Sequence, residues 1–218
     1  GVIQIMVVDA EKIDALRCVV CETLSAYRAE HVLSVEKEAV RLAEIYLPEF
    51  VQKARISALL HDITKEYDVK KQLQIFAEFG IIIDNVTLCC PSVFHSKTAA
   101  LLIPQMYPDF ADPDILSAVA KHTTGSEEMS VLDCIIYLAD FIEPLRKFED
   151  CKKLRAYFWN GIREADAKEA REFHLYRTMV RSFDLTIRDL MDRGSVIAPD
   201  MFRARNAFLL KLESEQRQ

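Results

Sequence analysis

Apolar residues recur at three- and four-residue spacing along most of this 218-residue chain, the period of helices with one buried face. Asp9 to Ser25 carries Ile13, Leu16, Val20 and Leu24 in that register. Glu30 to Tyr46 carries it more clearly, with Val32, Val35, Ala39, Leu42 and Tyr46 separated by Glu and Lys. His31, one turn before Val35, falls at the edge of that stripe. Pro48 introduces a short helix predicted over Glu49 to Asp62, and another is predicted from Tyr67 to Phe79, stopped by Gly80. Ile81 to Phe94 is the least regular stretch and contains a Cys-Cys-Pro turn. A helix from His95 to about Tyr107 is predicted to bend at Pro104. Asp112 caps the next, which reaches His122, and Gly125 closes the turn after it.

From Ser130 the run Val131 to Ile142 is apolar nearly all round and is predicted to be buried. Asp140 inside it is the exception, because a buried carboxylate needs a cation, a metal or several donors to offset its desolvation. Past Pro144 the next predicted helix is a long one, about Ala165 to Arg193, with Phe173, Tyr176, Val180, Phe183, Ile187 and Leu190 in helical register. A last helix runs from Pro199 to about Glu213. Strand-like alternation, internal repeats and linkers are absent from the pattern. The expected fold is all-α, a single domain of about eight to ten helices over 1–218.

Composition supports helices over strands: half the residues are hydrophobic, and there are five Gly and seven Pro. A formal net charge of −6 argues against a nucleic-acid partner, which would need a basic field. It leaves room for a phosphorylated small molecule held by a local Arg/Lys cluster. Six cysteines with no secretory leader before them point to a reducing cytoplasm. Cys18 and Cys21 form a lone CxxC in an amphipathic run and are expected to be buried core thiols rather than a zinc or redox pair. The opening apolar stretch, Gly1 to Val8, is too short for a bilayer span or a signal core. No membrane role is expected.

The chemistry concentrates in few residues. Ala58 to Lys65 ends an apolar run in adjacent His61 and Asp62, with Lys65 three residues on. Neighbours on a helix point about 100° apart, so both can reach a metal lying between them, and imidazole and carboxylate are ligands that first-row metals accept. Only five histidines occur. A single histidine fits an ordinary hydrogen-bonded position. Four of them, His31, His61, His95 and His122, at helix ends or interior faces together with Asp62 and Asp140, fit a metal centre better. His174 sits in a charged stretch and is expected to be solvated.

This order of residues resembles the HD superfamily of metal-dependent phosphohydrolases. More closely it resembles the YqeK family, bacterial symmetrical bis(5′-nucleosyl)-tetraphosphatases. The residues that carry the resemblance are Arg28-Ala-Glu-His31, His61-Asp-Ile-Thr-Lys65, His95, Ala120-Lys-His-Thr-Thr-Gly125, Tyr137-Leu-Ala-Asp-Phe-Ile-Glu-Pro144 with Arg146, and Ala204-Arg-Asn206. It spans about residues 25 to 210. A small residue near Lys97, a basic residue at Ser126 and a Gly in the stretch Phe148-Glu-Asp-Cys are usual in the family and missing here.

The resemblance implies one or two iron ions held by His31, His61, Asp62 and Asp140, with His95 and His122 beside the phosphates or on a second metal. The ligand types alone leave Mn, Co and Zn open. A bound metal would lower the pKa of its water and supply hydroxide near neutral pH. That hydroxide would cleave diadenosine tetraphosphate, or a related dinucleoside polyphosphate, to two nucleoside diphosphates. ADP or GDP would then be a product-like ligand. Asp62, Lys65, His95 and His122 are the expected catalytic groups. Arg28, Lys65 and Arg146 would meet phosphate charge, with Ile63, Thr64, Thr123 and Thr124 beside them and His31 and Asp140 also reaching substrate. Phe183, Thr186 and Arg188 are implied neighbours of the base or ribose, the C-terminal helices of about 165–213 completing the nucleotide site beside a core motif region of about 25–150. A second reading keeps the metal and changes the substrate to a dNTP, a nucleoside monophosphate or ppGpp. A third is a nucleotide-sensing module without turnover. An exposed apolar helix face would support a homodimer.

Overall fold

The computed structural model describes residues 9–216; the opening stretch Gly1 to Val8, with its membrane and signal reading, lies outside the described residues. Among those residues there are eleven α-helices and no strand. The helices are α1 (Ala10–Thr23), α2 (Ala26–Tyr46), α3 (Val51–Leu60), α4 (Val69–Glu78), α5 (Asn85–Leu88), α6 (Phe94–Met106), α7 (Pro113–Lys121), α8 (Val131–Ile142), α9 (Glu149–Glu164), α10 (Lys168–Asp192) and α11 (Pro199–Gln216). The all-α expectation holds, with one helix more than the upper bound. The four-residue α5 and the unanticipated α9 account for the excess.

Helix α9 occupies the stretch between Pro144 and Ala165 that the sequence pattern left without a helix. Its buried stripe is only Cys151, Leu154 and Phe158, set among Lys, Arg and Glu, so the apolar signal is thin although the spacing is helical. Helix α10 correspondingly begins at Lys168 rather than Ala165. Helix α2 begins earlier than predicted, at Ala26, because the Ser25 hydroxyl accepts from the Arg28 backbone N–H. Helix α6 continues through Pro104 to Met106.

Two apolar cores share α2 and α3. One surrounds α8 and joins Leu42, Ile135, Leu138, Phe158, Phe183 and Phe208. The other joins Leu16, Val32, Leu59, Ile103 and Ile115 from α1, α2, α3, α6 and α7. Helix α8 is the hub, packed against α2, α3, α7, α9 and α10. This is why its sequence is apolar on nearly every side. Truncating a fully buried residue such as Ile135 to Ala should cost about 2–5 kcal/mol. The start of α8 is fixed by a reciprocal cap between Ser130 and Asp133.

Two expectations fail here. Cys18 is exposed and Cys21 is partly exposed; Ile13, Leu16 and Val20 make the buried face of α1, and Cys18 lies about 200° round the helix from Leu16. His174 is partly buried rather than solvated. Its ring packs on Gly161 of α9, where a Cβ would lie 2.1 Å from the ring. Its Nε2 donates to the Phe158 carbonyl at 3.0 Å, and the ring stacks on Phe158.

Candidate metal and phosphate site

Three helices end at one point. His61 is the C-cap of α3 and His122 the C-cap of α7, while Asp140 lies in the last turn of α8. Helix C-termini carry partial negative charge, which favours a cation where they meet. His31 comes from the second turn of α2 and His95 from the first turn of α6.

The imidazoles are oriented by their Nδ1 atoms. His61 donates from Nδ1 to Ala58 O at 2.6 Å, His122 to Val119 O at 2.7 Å and His95 to Ser92 O at 2.9 Å. In each case the acceptor is the carbonyl three residues earlier. His31 Nδ1 instead faces Glu143 Oε1 at 3.1 Å. With Nδ1 protonated and the ring neutral, the Nε2 atoms of His61, His95 and His122 present lone pairs to the centre, as metal-binding imidazoles do, and His31 joins them when a metal replaces its Nε2 proton.

The carboxylates lie opposite those lone pairs. Asp62 Oδ2 is 3.7 Å from His31 Nε2 and 3.5 Å from His61 Nε2; Asp62 Oδ1 is 3.3 Å from His95 Nε2 and 3.7 Å from His122 Nε2. Asp140 Oδ1 is 3.0 Å from His31 Nε2 and 4.0 Å from His61 Nε2. His95 and His122 face each other through Nε2 at 3.1 Å. Carboxylate oxygens and neutral Nε2 atoms are all acceptors, so these approaches call for a proton or a metal ion between them. The Nε2 atoms of His31 and His61 are buried with no hydrogen-bond partner. The donor set therefore fits a metal. Among the described residues two groups bring their ligand atoms within 4.8 Å of one another, His31–His61–Asp140 and His61–Asp62–His122, and they share His61.

Protonation agrees with that chemistry. Burial pushes the His61 and His95 imidazoles down to about 4, keeping them neutral. Burial opposes ionisation of Asp62, but His61, His122 and His95 outweigh it and hold its carboxyl well below the usual range. For Asp140 burial is likewise outweighed, by Arg146 and His31. His31 goes the other way. Burial disfavours its charge, yet Asp140 and Glu143 on its two nitrogens raise it to about 9, so this position attracts positive charge of some kind.

Cations ring the centre. Arg28 Nη1 donates to Asp62 Oδ2 at 2.7 Å, and Arg146 Nη2 to Asp140 Oδ1 at 2.5 Å. Lys65 Nζ is 3.4 Å from the His95 ring, and its pKa is lowered, chiefly by burial against the pull of Asp62 and Asp140. Thr64 holds the turn that carries Lys65: its hydroxyl donates to His95 O at 2.9 Å, and Gln72 donates to Thr64 O at 2.7 Å. Gly125, with φ +65°, lets the His122–Thr123 turn close against α10 and α11. A Cβ there would come within 2.6 Å of Phe183 and 2.9 Å of Ala204.

Arg28, Asp62, Lys65, His95, His122, Thr123, Asp140, Arg146 and Thr186 line one cavity. His61, buried behind it, joins them through the distances above, and His31 lines an adjoining cavity. Other side chains named from the sequence lie elsewhere. Ile63 is in the core beside α1, the Thr124 hydroxyl donates to Gly125 O, and Phe183 is fully buried against Tyr137. Arg188 is exposed beside Arg181 and Tyr157 on a different cavity. Two supporting residues were given no role by the sequence. Glu143 orients His31 across 112 positions; its signal is the Glu-Pro three residues after Asp140. Arg155 of α9 donates to the carbonyls of Ile142, Glu143 and Arg146 and pins the turn that carries Arg146.

The HD-domain family matches residues 28–145, more than half of the chain. The chain belongs to the HD-domain family. It is 30% identical over 196 residues to a Bacillus subtilis protein named "Bis(5′-nucleosyl)-tetraphosphatase, symmetrical", covering 88% of this chain and 95% of that one. A Halalkalibacterium halodurans protein of the same name is 28% identical over 188 residues, 86% and 92% of the two chains. A Clostridium acetobutylicum crystal structure, described as a predicted HD superfamily hydrolase involved in NAD metabolism, superposes with a TM-score of 0.77 at 32% identity, covering 91% of this chain and 97% of that one. Within the HD-domain family the chain therefore falls with the YqeK-type hydrolases. No helix among the described residues is long and apolar enough to cross a membrane.

Proposed function

We propose that this HD-domain enzyme cleaves dinucleoside tetraphosphates symmetrically, with diadenosine tetraphosphate giving two ADP. The observation that carries this reading is the convergence of Arg28, Lys65 and Arg146 on one cavity beside an imidazole cluster suited to metal, with the two arginines bonded to its carboxylates. Metal-type ligands beside three cations fit hydrolysis of a highly charged phosphoanhydride, and the names of the full-length relatives select the substrate within that class.

In this reading His31, His61, Asp62 and Asp140 hold iron, with His95 and His122 available to a second ion; the whole chain, 1–218, works as one unit. A metal held there supplies an acidified water and a Lewis acid for phosphoryl oxygen. Arg28 and Arg146 are already fixed by Asp62 and Asp140, so they meet the growing charge on the phosphate oxygens without reorganising. Lys65 adds the third positive charge. Thr123 Oγ1, 3.3 Å from His95 Nε2, donates to a phosphate oxygen or keeps His95 in place. Water adds to one of the two central phosphorus atoms, that atom's bond to the oxygen shared with the other central phosphorus breaks, and the second ADP leaves on that oxygen as the water gives up a proton. His95, neutral and buried beside Asp62, is placed to take or return that proton.

The test is product identity after incubation of iron-supplemented protein with diadenosine tetraphosphate. ADP as the sole nucleotide product, absent with Asp62→Ala, supports the reading. Equal AMP and ATP, or no cleavage, contradicts it. Turnover of a dNTP, a nucleoside monophosphate or ppGpp in preference would move the metal site to another substrate.

A further inference from the structure

Two cavities meet at the three cations. The first, about 290 Å³, runs inward past His95 to an apolar wall that includes Val93, Phe141 and Leu190. The second, about 550 Å³, opens over His31 and Glu143 and is flanked by Tyr27, Leu145 and Phe148. Arg28, Lys65 and Arg146 line both. Crossing from one cavity to the other therefore passes apolar wall, positive divide and aromatic wall in that order. A nucleoside, a phosphate chain and a second nucleoside present the complementary sequence.

The second cavity holds the two most exposed aromatic rings among the described residues, Tyr27 at 77% and Phe148 at 71%. Single exposed apolar residues are ordinary, but two rings facing one cavity beside an anion site are a feature to explain. Both are held by their backbones. Tyr27 is in the first turn of α2, whose cap Ser25 is tied by its backbone N–H to Glu66 at 2.9 Å. Phe148 is the residue that opens α9, just after the turn pinned by Arg155. The Arg28 guanidinium lies 5.8 Å from the Tyr27 ring centre, so the aromatic face adjoins the cation that reaches Asp62. Glu30 on the same cavity offers an acceptor for a ribose hydroxyl or an exocyclic amine. A third cavity beyond Arg146 is less suitable: it shares Phe148 and has Arg193, but of the three dividing cations only Arg146 lines it, Tyr27 does not, and Glu149, Asp150 and Asp189 would repel a phosphate chain.

We infer that the cavity flanked by Tyr27 and Phe148 binds the second nucleoside of the substrate, its base stacked on one or both rings. This rests on the proposed dinucleoside substrate. It makes Tyr27 and Phe148 substrate-binding residues that set the preference for a two-nucleoside over a one-nucleoside polyphosphate.

The test compares diadenosine tetraphosphate with adenosine tetraphosphate, which has four phosphates and one nucleoside fewer, its terminal phosphate being free. The variants Tyr27→Ala, Phe148→Ala and the double change remove exposed rings, and thermal melting checks their folding. Stacking on an aromatic ring is lost with alanine at roughly tenfold or more in affinity per base. The expected result is a fall in kcat/KM for diadenosine tetraphosphate that exceeds the fall for adenosine tetraphosphate by roughly tenfold or more. Tyr27→Phe and Phe148→Tyr, which keep a ring face, should recover most of it. Equal falls on the two substrates, or none on either, overturn the second subsite while wild-type cleavage leaves the proposed activity intact. Failure of the wild type to cleave diadenosine tetraphosphate overturns both.

Discussion

The molecule buries imidazoles in two regions, and their treatment differs. In the contact of α9 with α10, His174 donates to a backbone carbonyl, stacks on Phe158 and fills the space that Gly161 leaves. Among the described residues no carboxylate pairs with its ring, and Glu164 acts on it only as a minor charge. Where α3, α7 and α8 end, each imidazole also satisfies one nitrogen, but the other is turned on the carboxylate of Asp62 or Asp140. A buried histidine whose hydrogen bonds close is a packing residue. One left with a lone pair beside a buried carboxylate waits for a cation.

The largest effect should follow from breaking the second region. His61→Ala, which removes the ligand common to both groups, should reduce turnover by more than the roughly 10- to 100-fold that loss of a supporting partner costs, read as initial rates with saturating metal. Glu143→Gln sits next in size. It weakens the acceptor on His31 Nδ1, and metal affinity should fall by roughly 10- to 100-fold, measured by competition with a chelator; an unchanged affinity would mean Glu143 only shapes the turn.

In the first region Gly161→Ala should destabilise the fold by about 1–3 kcal/mol through overpacking on the His174 ring, seen in denaturant melts. His174→Ala in the same chain should recover part of that loss, because the clash is with that ring. Smallest is a pH effect. Burial lowers the His174 pKa below 6.5, so the fold favours the neutral ring. That contribution is complete above pH 6.5 and is lost as pH falls below it. Melting curves of wild type and His174→Phe should diverge less at pH 5 than at pH 7.

Much of this was legible in the sequence because the informative residues are scarce. Five histidines in 218 residues, four of them at helix ends or faces, and an aspartate inside an apolar run are hard to read as anything but a cluster, and the structure brings them within a few ångströms. What failed depended on partners far along the chain. His174 lies among charged neighbours, yet its burial is set by a glycine on another helix. Cys18 has an apolar neighbourhood but the wrong angle on α1. The Thr64 and Thr124 hydroxyls adjoin motif residues, yet they bond to backbone carbonyls, and Arg188 turns to a separate cavity. Helix α9 was missed because three buried residues make a weak stripe, although its Arg155 fixes the turn that presents Arg146.

The central claim is that the imidazoles left with a free nitrogen form the metal centre and the closed one does not. Metal content decides it directly: wild type, His61→Ala and His174→Ala purified anaerobically with iron, each assayed for iron per folded chain. The account predicts iron in wild type and His174→Ala and its loss in His61→Ala. Full iron in His61→Ala, or iron lost from His174→Ala, would contradict it.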